Sequence, residues 1–86
     1  FSLDNSIQIQ YEIYPNPFST NTTIRFNNPN FHLIQLEVFS LSGKSVVKDS
    51  FNSDMVHISS SSFSIGLYII EIHYQNLIAR DILIVE

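Results

Sequence analysis

Hydrophobic and polar residues alternate with a period of two along much of the chain. Between residues 7 and 13, apolar or aromatic side chains occupy every odd position and polar ones every even position. Successive side chains of a β-strand point to opposite faces, so this pattern predicts a strand with one buried face. No stretch keeps the i, i+3, i+4 spacing of an amphipathic helix. The pattern therefore predicts an all-β protein.

Seven strands are predicted by this periodicity and by the abundance of β-branched and aromatic residues. They cover residues 7–14, 22–26, 33–41, 44–51, 55–58, 66–74 and 77–85. In the sixth, Tyr68, Ile70, Ile72 and Tyr74 share one face. The seventh ends in an apolar run, 82–85, on both faces, and such a strand is expected to need cover on both sides or a partner beyond the domain.

Turn-forming residues separate the predicted strands. Pro15-Asn16-Pro17 predicts a rigid corner, since proline lacks an N–H and restricts the residue before it. Ser42-Gly43 predicts a tight hairpin with a positive φ at Gly43, and Gln75-Asn76 a two-residue hairpin turn. The serine run 59–62 is expected to be a connecting loop, with Phe63 closing the edge of a sandwich. Short strands at this spacing predict a seven-stranded, immunoglobulin-like antiparallel β-sandwich.

Length and charge narrow the function. The 86 residues fit one domain, 1–86, and the absence of Met at position 1 indicates a piece of a longer protein, with residues 1–9 as the expected end of a linker. The net charge is −4 and the four basic residues are scattered, which argues against nucleic acid and anionic membrane surfaces as partners. No apolar run approaches the about 20 residues of a membrane span, so no membrane insertion is expected.

Candidate catalytic and metal-binding patterns are absent from the sequence. There is no Cys, and the three histidines, His32, His57 and His73, do not have metal-ligand spacing. The two glycines, Gly43 and Gly66, cannot form a glycine-rich phosphate loop, and no G-x-S-x-G elbow occurs. The expectation is a protein without catalytic residues, metal site or cofactor.

Three sequence blocks together resemble a known family. They are YPNPF with TTIRF (residues 14–18 and 22–26), LEVFSLSGKSVV (36–47), and the serine loop followed by GLYIIEI (58–63 and 66–72). Their order and spacing are similar to the type A C-terminal sorting domain of the type IX (Por) secretion system of Bacteroidota. The candidate residues of the sorting motifs are Tyr14, Pro15, Asn16, Pro17, Gly43, Lys44, Gly66, Tyr68, Ile82, Leu83, Ile84 and Val85.

The resemblance implies a non-catalytic export signal at the C-terminus of a cargo protein. It implies recognition by the type IX translocon, passage through the periplasm and across the outer membrane, and removal by a sortase-like peptidase. The cargo would be secreted or attached to the cell surface. Two positions depart from the family: Glu86 stands where a basic residue is common, and Phe63 where leucine is usual.

Two alternatives belong to other classes. An immunoglobulin-like domain similar to that of flagellar hook-capping proteins shares YPNPF and TTIR, but usually carries W-D-G before G-x-Y, whereas this chain has no Trp. A carbohydrate-binding or adhesion module of a secreted enzyme is indicated by aromatic residues with candidate exposed positions, which are Tyr11, Tyr14, Phe31 and Phe39. Alignment of these aromatics on one face would favour this alternative.

Overall fold

The computed structural model describes residues 9–86. Most of the predicted linker, 1–9, and the start of the predicted first strand lie outside the described residues. The strands are β1 (Tyr11–Tyr14), β2 (Asn21–Phe26), β3 (Ile34–Ser40), β4 (Ser45–Phe51), β5 (Met55–Ser59), β6 (Gly66–Tyr74) and β7 (Leu77–Val85). One 3₁₀ turn, Ser60–Ser62, lies between β5 and β6. The all-β prediction and the seven strands are confirmed.

The strands form two antiparallel sheets that face each other. The smaller sheet has the order β1-β2-β5 and the larger has the order β4-β3-β6-β7. In the constant-type immunoglobulin arrangement the fourth strand lies beside the fifth. Here β4 pairs instead with β3, because a short hairpin joins them and keeps them adjacent.

Two predicted boundaries are wrong by a few residues. β1 begins at Tyr11, which pairs with Phe26, the last residue of β2, so the described residues 9 and 10 precede the strand that was predicted to include them. The β3–β4 hairpin loop, counted between the hydrogen-bonded residues Ser40 and Lys44, has three residues, 41–43, rather than two. Ser40 N–H donates to the Lys44 carbonyl (2.9 Å), and Gly43 N–H donates to the Ser40 carbonyl (2.9 Å). Gly43 has φ +91°, as its position in the hairpin predicted.

The core lies between the sheets and follows the predicted period of two. Alternate residues of β2, β3 and β6 are buried, and in the predicted shared face of β6 Tyr68, Ile70 and Ile72 are buried and Tyr74 is half-buried. The buried hydrophobic residues are Phe18, Ile24, Phe26, Ile34, Leu36, Val38, Ile58, Tyr68, Ile70, Ile72, Leu83 and Val85. Phe63 is half-buried and packs edge-to-face on Tyr68 with ring centroids 4.9 Å apart, consistent with its predicted role at the sandwich edge.

One buried polar residue organises the β2–β3 connection. The side-chain amide of Asn28 donates to the carbonyls of His32 (2.9 Å) and Ser53 (3.1 Å), and its oxygen accepts from His32 N–H (3.0 Å). These bonds satisfy a side chain that would be costly to bury unpaired. The β2–β3 loop is therefore held by its own asparagine.

The register defines two ends of the sandwich. Ser40 pairs with Tyr68, which pairs with Leu83, and Gly66 pairs with Val85. We call this end, with the β3–β4 hairpin, the start of β6 and the end of β7, the motif end. The opposite end carries the start of β1, the β2–β3 loop and the Gln75-Asn76 turn, which joins β6 to β7 as predicted.

Candidate functional site

The corner between β1 and β2 docks on the terminal strand. Asn16 Nδ2 donates to the carbonyl of Ile82 (2.8 Å), and Asn16 Oδ1 accepts from the N–H of Ile84 (2.9 Å). A single side chain thus pairs with both backbone groups that a neighbouring strand would otherwise use. We call residues 15–18 the docked turn.

Phe18 continues this pairing with its backbone. Its N–H donates to the carbonyl of Ile84 (3.0 Å), and its carbonyl accepts from the N–H of Glu86 (2.9 Å). These bonds form a parallel bridge between Phe18 and Val85. The Phe18 side chain is buried and meets the ring of Phe63 edge-on, with centroids 6.5 Å apart. The last residues of β7 therefore have a partner on both edges.

The docked turn is also tied to the smaller sheet. Both X-Pro peptide bonds, Tyr14-Pro15 and Asn16-Pro17, are cis. The hydroxyl of Thr22, a buried residue of β2, donates to the carbonyl of Pro15. Contacts to β2 on one side and β7 on the other fix the position of Asn16 between the two sheets.

A further contact joins β1 to β7. The hydroxyl of Tyr11 donates to Asp81 Oδ2 (2.9 Å). Burial of the phenol, together with the hydrogen bond to Asp81 and the negative charge of that carboxylate, raises the pKa of Tyr11 to about 12. From Tyr11 to Phe18 the chain therefore follows the outer edge of β7 from Asp81 to Glu86.

The structure brings most of the predicted motif residues together. Asn16 bonds to the 82–84 segment, Gly66 pairs with Val85, and Tyr68 pairs with Leu83. The side chains of Tyr68, Leu83 and Val85 are buried, and the Tyr68 hydroxyl donates to the Ser64 carbonyl (2.7 Å). These three side chains therefore belong to the core.

Three predicted residues lie apart from this cluster. Gly43 and Lys44 are in the β3–β4 hairpin at the motif end, where both hydrogen-bond to Ser40. The ring of Tyr14 is exposed, and Tyr14 pairs with Thr23 on β2. The motif end therefore has two exposed parts, the docked turn with β7 and the hairpin.

Two residues that complete the site, Phe18 and Thr22, are not among the predicted motif residues. Phe18 is the only non-proline apolar residue between Tyr14 and Ile24, a signal that could have marked it as an anchor. Thr22 has no comparable signal, because threonine is common on both the buried and the exposed faces of strands.

The outer face of the larger sheet carries a small group of hydrogen-bonded polar side chains. On the outer face of the larger sheet, Glu71 accepts hydrogen bonds from His73 Nε2 (2.8 Å) and Arg80 Nε (2.8 Å). The bond to His73, followed by that to Arg80, lowers the pKa of Glu71 below its ordinary value. Residues 9–86 contain no group of three His, Cys, Asp or Glu able to hold a metal ion. In the same range, no helix is long and apolar enough to cross a membrane.

The exposed aromatic residues do not share one surface. Tyr14 lies beside the docked turn, whereas Phe31 lies in the β2–β3 loop at the opposite end. Tyr11 and Phe39 are only half-exposed, and the Tyr11 ring packs on Phe26 with centroids 6.4 Å apart. A sugar-binding platform needs aromatic faces that one ligand can reach together, and these four do not form one.

Comparison with known proteins identifies the family. No curated protein matches the sequence. A family model described as a secretion system C-terminal sorting domain matches residues 12–86, which run from β1 to the last residue. Because this match covers nearly the whole chain and includes both the docked turn and β7, the chain belongs to the family of type IX secretion C-terminal sorting domains.

Proposed function

We propose that the type IX translocon recognises this domain in its folded form and exports the cargo that precedes it, and that a sortase-like peptidase then removes the domain. The cargo is secreted or becomes attached to the cell surface. Family membership makes the domain a sorting signal. The observation that supports recognition of the folded form is the pairing of Asn16 with Ile82 and Ile84, which unites the first and last sequence motifs in one structure.

Folding and signalling are coupled in this arrangement. Leu83 and Val85 lie in the core, and the outward residues of the same strand lie beside the docked turn. Deletion of residues 81–86 would remove both core side chains, so loss of export in that deletion would not separate signal from fold. Substitutions are therefore more informative than truncation.

The test is a fusion of residues 1–86 behind a periplasmic reporter in a bacterium with a type IX system. We expect the wild-type fusion to reach the medium or cell surface. Leu83→Asp, which buries a carboxylate in the core, should unfold the domain and leave the reporter in the periplasm. A wild-type fusion that stays periplasmic, while a known sorting domain exports the same reporter, would refute the proposed function. Export of the unfolded Leu83→Asp fusion would refute recognition of the folded form.

The same fusion tests removal by the peptidase. At Tyr11 the chain enters β1 of the smaller sheet, and a peptidase cannot bind residues 11–14 in an extended form without disrupting that strand. We expect mass spectrometry of the exported reporter to place its new C-terminus before Tyr11. A released reporter that still carries β1 would contradict this assignment.

A further inference from the structure

The outer face of the larger sheet is apolar at the motif end. Leu67 pairs with Ile84, Ile69 pairs with Ile82, and Phe39 pairs with Ile69. These positions alternate with the buried ones, so their side chains point away from the core. Ile82 is 50% exposed and Leu67 is 47% exposed. We call these residues, Phe39, Leu67, Ile69, Ile82 and Ile84, the apolar face.

A row of charged residues bounds the apolar face. Along it, Lys48 pairs with Glu37, Glu37 with Glu71, and Glu71 with Arg80. Two positive and two negative side chains give this row no net charge. The apolar face itself contains no ionisable side chain. The surface therefore complements an uncharged, apolar patch that has polar groups along one border.

Backbone pairing cannot be the way a partner binds here. One edge of residues 82–85 pairs with β6, and the other is occupied by Asn16 and Phe18. Addition of a strand from another protein needs a free edge. Recognition of the folded strand must then use its outward side chains, which are those of Ile82 and Ile84.

We propose that the apolar face is the surface by which the domain docks on a protein component of the export machinery, against an uncharged surface of aliphatic and aromatic side chains. This inference rests on the proposed function, which requires a protein that recognises the domain. Charge argues against two other occupants. The net charge of −4 is repelled by anionic lipid headgroups, and a second copy carries the same −4.

The test compares two isoleucines of β7 on the same face. Ile82 is 50% exposed within the apolar face, and Ile78 is 56% exposed beyond the charged row, where it pairs with His73. In the reporter fusion, we expect Ile82→Lys to lower export by about tenfold or more, as loss of a binding hot spot does, and Ile78→Lys to leave it unchanged. Thermal unfolding of both purified fusions checks that each variant folds. If Ile82→Lys does not fold, Ile82→Thr replaces it, because threonine keeps the β-branched shape.

The outcomes separate this inference from the function on which it rests. Failure of the wild-type fusion to export would refute the proposed function. Normal export of a folded Ile82 variant, or equal loss with Ile78→Lys, would refute the docking surface alone. A photoreactive residue at position 82, but not at 78, should crosslink in cells to an outer-membrane component of the translocon identified by mass spectrometry. A crosslink to lipid or to a second copy, or none at position 82, would overturn the choice of partner.

Discussion

The side chain of Asn16 makes the hydrogen bonds to the backbone of β7 that a neighbouring strand would otherwise make. Its amide has a donor and an acceptor on one planar group, and these meet the carbonyl of Ile82 and the N–H of Ile84. Between two prolines, which have no N–H, the side chain supplies the donor that the flanking backbone lacks. The Pro-Asn-Pro sequence therefore combines a fixed corner with an amide aimed at β7.

Loss of this amide should weaken the domain. We expect Asn16→Ala to lower the free energy of unfolding by about 1–3 kcal/mol, because two hydrogen bonds disappear and the N–H of Ile84 is left partly buried without its partner. Chemical denaturation of the purified domain measures the change. Asn27→Ala is the matched control: its exposed amide makes one bond to Gln10 Oε1 (3.1 Å), and the expected loss is below about 0.5 kcal/mol. Equal losses of unfolding free energy in the two variants would show that the amide of Asn16 stabilises the domain no more than an exposed amide does.

At the scale of the element, β7 divides its residues between two roles. Leu83 and Val85 point into the core, while Ile82 and Ile84 point outward. An apolar strand of this kind was expected to need cover on both faces or a partner beyond the domain. The structure covers its inner face and its outer edge, and leaves the outer face partly exposed.

Neighbouring positions of β7 should therefore respond differently to truncation. Leu83→Ala creates a cavity in the core and is expected to cost about 2–5 kcal/mol. Ile82→Ala removes a half-exposed side chain, and its cost is expected to be below about 1 kcal/mol. Equilibrium denaturation with urea compares the two. A cost for Ile82→Ala as large as that for Leu83→Ala would mean that the apolar face is buried within the domain itself.

The period of two predicted the local structure of the chain but not its long-range contacts. The alternation in β2, β3 and β6 predicted the strands and which of their residues share a face, because a period of two is a property of the strand alone. Asn16 binds Ile82 and Ile84, which lie 66 and 68 positions further along the chain, and no local sequence pattern encodes such a contact. The hairpin loop 41–43 was misjudged by one residue, since Gly43 fits a positive φ in a two-residue or a three-residue loop.

At the scale of the whole molecule, the two ends of the sandwich have different neighbours. β1 runs from Tyr11, at the opposite end, towards the docked turn at the motif end. Residues 9 and 10, which precede β1, therefore lie at the end away from the motifs, where the Gln10 carbonyl accepts from the N–H of Asn27. We expect this polarity to keep the docked turn, the hairpin and the apolar face away from the entry of the chain and open to a partner.

Insertion of one short epitope tag at each end tests this polarity. The two sites are matched hairpins of the larger sheet, between Gln75 and Asn76 at the opposite end and between Ser42 and Gly43 at the motif end. Since loop-closure entropy rises slowly with length, both insertions should cost similar stability, about 0.6 kcal/mol for each doubling of the loop. We expect the reporter fusion tagged at 75/76 to be exported at the wild-type level and the one tagged at 42/43 to remain periplasmic.

Thermal unfolding of both proteins provides the control. Equal export of two folded proteins would contradict a role for the motif end in recognition, because the tag adjoins Leu41 and Lys44 without altering the core.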